Sequence, residues 1–148
     1  MTKSLTKFEK LKKGHKDLFP KGFGIECGEG WLELIDILCN YFEHKLISKE
    51  ATFIHFAQIK EKFGLLRVYF DLELPTPRKG TDPNKTFTEI HQTVSTMEGV
   101  SSIVCEDCGQ MKHEGFNVEM RSLSGWKMTK CDKCFEELKA NHEKMMKE

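Results

Sequence analysis

The sequence predicts an α+β fold: a helix–β-hairpin–helix unit followed by a short segment organised by cysteines. Three patterns carry that expectation. Apolar residues recur at helical spacing after Trp31 and again after Phe87. Residues 65–72 alternate with the period of a strand. Two C-x-x-C pairs, Cys105/Cys108 and Cys131/Cys134, stand in the last third.

Residues 1–21 carry seven Lys against one Glu and one Asp, a local charge of +5. Leu5, Phe8, Leu11, Leu18 and Phe19 recur at near-helical intervals, so a basic amphipathic helix is expected there, ending before Pro20 and weakened in its middle by Gly14. Residues 20–30 hold four glycines and one proline and read as a loop. Trp31, Leu32, Leu34, Ile35, Leu38, Cys39, Phe42 and Leu46 then form a wide apolar face, which predicts a largely buried helix. Phe53, Ile54, Phe56 and Ile59 favour a strand, Phe63-Gly64 a turn, and Leu66, Val68, Phe70 and Leu72 a returning strand. After a loop over 75–83, Asp82 is placed to cap a helix with Pro83 at its first position, and Phe87, Ile90, Val94 and Met97 lie on one face of it. That helix should run to about residue 101. The expected organisation is therefore a basic helix over 1–21, an α+β core over 22–102 and a cysteine-bearing segment over 103–148.

Composition bounds the function. With 39% hydrophobic residues and 11 Phe in 148, a real core is available. Lys and Arg total 23 and so do Asp and Glu, so overall charge points to neither nucleic acid nor membrane. No apolar run approaches the roughly 20 residues of a membrane helix. The Lys-rich N-terminus has no apolar stretch behind it, so no secretory signal is expected, and a soluble cytosolic protein is.

Six cysteines in a short chain mean either a disulfide framework or a metal site. The spacing favours metal: Cys105-Glu-Asp-Cys108-Gly109, 22 intervening residues, then Cys131-Asp-Lys-Cys134. Two residues between thiolates let a tight turn aim both at one ion, and glycine after the second tolerates the positive φ of that turn. Between the pairs, Phe116, Val118 and Met120 suggest a strand, Ser122, Ser124 and Gly125 a turn, and Trp126, Met128 and Thr129 a return strand. The run from Phe135 to Ala140 is strongly helix-forming. A knuckle, a hairpin and a second pair opening a helix make a treble-clef zinc finger; a zinc ribbon is the alternative. Glu106, Asp107, Asp132 and Lys133 are too polar for cysteines merely packed in a core. A redox C-x-x-C needs only one pair, on a thioredoxin-like unit. Iron–sulfur ligation shares the ligand count. Four thiolates close a zinc site, so the expected Zn2+ is single and structural, contributing on the order of 10 kcal/mol to folding.

Few other residues suggest chemistry. His113 follows Cys108 by five positions and reads as an exposed loop histidine before it reads as a ligand. Cys39 should act as a small hydrophobe, and Cys27 is a lone thiol in a glycine-rich loop. No G-x-S-x-G, P-loop or H-E-x-x-H occurs, and no catalytic residue is assigned. Lys60, Lys62 and Arg67 gather charge around the first hairpin, diluted by Glu61.

Three stretches carry a resemblance: Cys27-Gly-Glu-Gly-Trp31-Leu-Glu-Leu-Ile-Asp36; Gln58-Ile-Lys-Glu-Lys-Phe-Gly64-Leu-Leu-Arg67-Val-Tyr69; and Cys105-Glu-Asp-Cys108-Gly109 with Gly125-Trp126, Thr129, Cys131 and Cys134. Over about residues 22–135 the chain resembles uncharacterised small zinc-finger proteins of bacteriophages and prophages. It departs from them at Leu65, where a second glycine is usual, in its basic leader and in its long C-terminal helix. The resemblance implies a mobile-element origin, a zinc finger and the cytoplasm of a bacterial host, and it implies no activity.

The expected function is non-enzymatic: binding and modulating a host or viral protein, with Lys60, Lys62, Arg67 and Trp126 as candidate partner-binding residues. Residues 100–148 carry eight Lys/Arg against nine Asp/Glu, unlike a finger built to grip phosphates. The alternative is a nucleic-acid-binding regulator that uses the basic N-terminal segment and the first hairpin. A membrane partner is not expected.

Overall fold

The computed structural model describes residues 4–147; residues 1–3 and 148, the outer ends of the expected basic helix and of the C-terminal segment, lie outside the described residues. The fold is mixed α+β. A three-stranded sheet carries two helices on one face, and a two-stranded hairpin with a terminal helix follows.

Helix α1 spans Lys7–Gly14 and is shorter than its apolar pattern suggested. Thr6 caps it by accepting from Glu9 N, and it stops at Gly14, where glycine's backbone freedom is costly to hold in a helix. A 3-10 turn over Lys16–Leu18 continues the apolar line, so Leu11 and Leu18 still enter the core. His15 lies between two acids of the next helix, its Nε2 3.0 Å from Asp36 and its Nδ1 paired with Glu43.

The glycine-rich stretch is not wholly a loop. Ile25–Glu26 forms strand β1, parallel to the following strand at Ile59 and Lys60. Helix α2 spans Leu32–Ile47 and buries Leu34, Ile35, Leu38, Cys39 and Phe42. Strands β2, Phe53–Lys62, and β3, Leu65–Glu73, form the expected hairpin. A bulge at Ala57 shifts the register between Phe56 and Gln58, which lets Phe56 and Ile59 both face inward despite their odd spacing. Phe63 and Gly64, with φ of 53° and 80°, make the two-residue turn whose twist suits a hairpin.

Helix α3 spans Pro83–Val100, with Asp82 accepting from Asn84 N and Lys85 N as its N-cap. Ile90 and Val94 are buried, whereas Phe87 lies half exposed against His91, ring centroids 4.2 Å apart. The C-terminal end of α3 guards the edge of β3: Glu98 accepts from Val68 N at 2.9 Å and the buried Ser101 from Leu66 N at 3.0 Å. These two acceptors occupy the outward N–H groups that another strand could otherwise pair with. The core between sheet and helices centres on Phe42, which meets Phe56 and Phe70 at 5.1 and 5.3 Å. Buried Lys45 joins α2 to its surroundings through Glu50 at 2.5 Å and Glu89 at 3.6 Å.

Strands β4, Val118–Leu123, and β5, Trp126–Cys131, form the second hairpin, and α4 spans Asp132–Met146. Ser124 and Gly125 both have positive φ, 51° and 81°, and close that hairpin in two residues. Among the described residues, no helix is long and apolar enough to cross a membrane.

Phe42→Ala, which empties the centre of the aromatic cluster, should cost about 3–5 kcal/mol of stability. Chemical denaturation read by circular dichroism measures this loss.

Candidate metal centre

Each cysteine pair sits where local structure exposes its sulfurs to one point. Cys105 begins a tight turn in which Gly109 N donates to Cys105 O at 2.9 Å, and Gly109 adopts φ 79°. Cys105 N donates to Gln110 O at 3.0 Å, and Val104 bridges Met111, so the turn is a small antiparallel knuckle. Cys131 ends β5 and caps α4, its Sγ accepting from Cys134 N at 3.4 Å. Cys134 lies in the first turn of α4, where the positive end of the helix dipole favours a thiolate.

All four sulfurs lie within 4.8 Å of one another, and Cys108 Sγ is 3.9 Å from Cys131 Sγ. Sulfurs at 2.3 Å from a central zinc would stand about 3.8 Å apart at the corners of a tetrahedron. The cluster therefore fits one metal ion, and four thiolates would fill its coordination sphere. Burial and the neighbouring cysteine sulfurs push the Cys108 and Cys134 thiols up, although backbone hydrogen bonding at Gln110 pulls Cys108 the other way. Burial also opposes ionisation of Cys105, but backbone hydrogen bonds with Cys108, Cys131 and Asp107 outweigh it and leave that thiol lowered. A bound cation would displace the protons that the raised thiols hold.

The knuckle rests on the start of α2. Gly30 N donates to Glu106 O at 2.7 Å, and Gly28 N to Glu106 Oε2 at 2.9 Å. A Cβ on Gly30 would overlap Cys105 O and the Glu106 carbonyl, and one on Gly28 would overlap Glu106. Only glycine lets the two backbones approach so closely. Trp31, fully buried, donates its indole Nε1–H to Val104 O at 2.9 Å. The turn of the first hairpin reaches the same place: Gly64 O accepts from Thr129 Oγ1 at 2.5 Å, and Gly64 faces the backbone of Met128. The cysteine-bearing segment is thus fastened to the α+β core on both sides of its knuckle.

Charged side chains ring the cluster in pairs. Buried Lys130 pairs with Asp107, and Arg121 with Asp132 and Glu119. Arg121, with Asn117, holds the exposed Asp132 carboxyl below its ordinary range. Arg121 also lies over the Phe135 ring at 4.9 Å, binding α4 to the hairpin.

The other candidates lie elsewhere. His113 is exposed, its ring stacked on Phe116 at 5.5 Å, outside the sulfur cluster. Cys27 is half-buried; burial, with Glu106 and Glu61 nearby, pushes its thiol up to about 12, which suits no nucleophile. Cys39 is buried in the core. Lys60, Lys62 and Arg67 are on the outward face of the β2–β3 hairpin, and Trp126, 67% exposed, is at the tip of β4–β5. The four are not gathered into one site with the cysteines. Sequence reasoning took Gly28 and Gly30 for loop formers and missed their contact with the knuckle. Two glycines bracketing one residue immediately before a buried Trp were the available signal. Comparison with known protein families, curated proteins and solved structures finds no match.

Two predictions test the site. Stripping metal with a chelator should disorder the knuckle and release the Val104–Trp31 contact, shifting Trp31 fluorescence to the red, and metal affinity should fall as pH falls because protons compete for the thiolates. Metal titrations followed by fluorescence at pH 6 and pH 8 check both. Gly30→Ala should destabilise the protein by about 3 kcal/mol and weaken metal retention, because the added methyl forces the knuckle away from α2. Thermal unfolding with metal analysis reads the two effects together.

Proposed function

We propose that this protein is a non-enzymatic binding module whose single zinc ion builds a docking surface for a protein partner. Zinc suits four cysteine sulfurs that lie within 4.8 Å of one another, since soft thiolate ligands in a set of four are its usual structural site. A treble clef describes the finger best, since its first ligand pair lies on a knuckle, a hairpin follows, and the second pair opens a helix. A closed thiolate site leaves no position for substrate or activated water, which supports a structural role for the ion.

The observation that carries this reading is a groove of about 340 Å³ walled by three segments that meet at the cysteines. Glu106 and Asp107 come from the knuckle, Leu123 and Trp126 from the hairpin tip, and Leu138 and His142 from α4. Met128 and Lys130, the latter paired with Asp107, line it as well. Trp126, two-thirds exposed at the mouth, offers the large amphipathic surface that dominates many protein interfaces. Zinc would hold the walls together, so metal and partner binding would be linked. With the sequence resemblance, this reading extends to a protein of phage or prophage origin that acts on a host or viral protein in the bacterial cytoplasm.

Trp126→Ala should leave zinc content and thermal stability within about 0.5 kcal/mol of the parent, because the side chain is exposed, while abolishing capture of a protein partner from bacterial extract. Pull-downs comparing parent, Trp126→Ala and zinc-stripped protein check this. A partner retained equally by all three would contradict it.

A further inference from the structure

The outward face of the β2–β3 hairpin holds three cations close together, Lys60, Lys62 and Arg67. Lys60 and Arg67 are direct partners across the antiparallel ladder, and Lys62 follows Lys60 on the same face. Like charges placed opposite one another in a sheet repel and cost stability. Among the described residues, none of the three forms an ion pair. Glu26 is the register neighbour of Lys60 on β1, yet it does not close an ion pair with it. Glu61, between the lysines in sequence, is turned to accept from Gly64 N at 2.8 Å. Glu98, which lines a concavity with Arg67, is engaged by Val68 N, and Asp71 and Glu73 lie at the far end of the face beside His55 and Phe53.

Aromatic surface accompanies the charge. Tyr69, 45% exposed, is the register partner of Gln58, and Lys60 Nζ lies 5.8 Å from its ring centroid. Phe63, 68% exposed at the turn, has Lys62 Nζ 5.9 Å from its ring. Cations that track a phosphate backbone, interleaved with rings on which bases stack, are the physical requirement for gripping a single strand. An acidic peptide would satisfy the charges but has no use for the rings. We propose that this face, through Lys60, Lys62, Arg67 and Tyr69, binds single-stranded nucleic acid. It goes beyond protein docking at Trp126 and uses different residues.

The test is fluorescence anisotropy of the zinc-loaded full chain with labelled single-stranded RNA and DNA oligonucleotides across salt concentrations. Three phosphate contacts predict a log–log salt slope of about −2, so affinity falls roughly twentyfold between 50 and 200 mM salt. Arg67→Gln and Lys60→Gln should each flatten the slope by about 0.7. Neither should lower the thermal midpoint, because each relieves a repulsion. Tyr69→Ala should weaken binding about tenfold without altering the slope. Absence of binding at low salt would overturn the proposal. So would equal competition by polyglutamate with no effect of Tyr69→Ala, which would make the face an acidic-protein site. A lowered midpoint for Lys60→Gln would overturn it too, by showing that the lysine serves the fold.

Discussion

Four sulfurs meeting around one point set the arrangement of the last third of this chain. The segment's own core is small, with Cys105, Val118 and Cys131 buried and Phe116 and Cys134 partly so. Two of those three buried residues are themselves cysteines of the cluster. A hairpin and one helix joined this sparsely need a crosslink in place of a core, and a metal ion held by the four sulfurs would supply it. The positions of the knuckle, of β4–β5 and of α4 all follow from that one convergence.

Such a crosslink would act beyond its own segment, because the knuckle is packed backbone to backbone against Gly28 and Gly30 and is bonded to the Trp31 indole. The turn at Gly64 fixes the other side through Thr129. Three stretches distant in sequence, around Cys27–Trp31, Gln58–Tyr69 and the cysteine pairs, are thereby joined: the first packs on the knuckle and the second reaches β5 through Gly64. Leu65 follows that turn as the first residue of β3. Its place just after the turn can accept a side chain, whereas Gly64 needs φ 80°.

Local patterns made much of the fold legible. Helix α2, the β2–β3 hairpin and the Asp82–Pro83 start of α3 were readable because period, turn chemistry and capping are properties of neighbouring residues. The cysteine cluster was readable because ligand spacing survives without knowledge of the fold. What depended on distant residues was not readable. Strand β1 has two residues, too few for any period, and exists only because β2 lies beside it. The basic helix was expected to run on toward Pro20 with Gly14 only weakening its middle, whereas α1 stops at Gly14 and a separate turn, set by tertiary packing, carries Leu18 into the core. The seat of Glu106 on Gly28 joins residues 78 apart, and the edge guards Glu98 and Ser101 lie at the end of, and just after, a helix whose pattern shows only its apolar face. For the candidate site, the grouping of the four cysteines could be read in advance and the surface around them could not. The groove below Trp126 takes its walls from three segments.

The central claim is that all four cysteines ligate a single zinc ion in a closed site. X-ray absorption at the zinc edge of protein purified without added metal tests it most directly. The account predicts one zinc per chain, with four sulfur neighbours at about 2.3 Å and no nitrogen or oxygen ligand. A nitrogen or oxygen neighbour in the first sphere, or protein that carries no stoichiometric zinc, would contradict it.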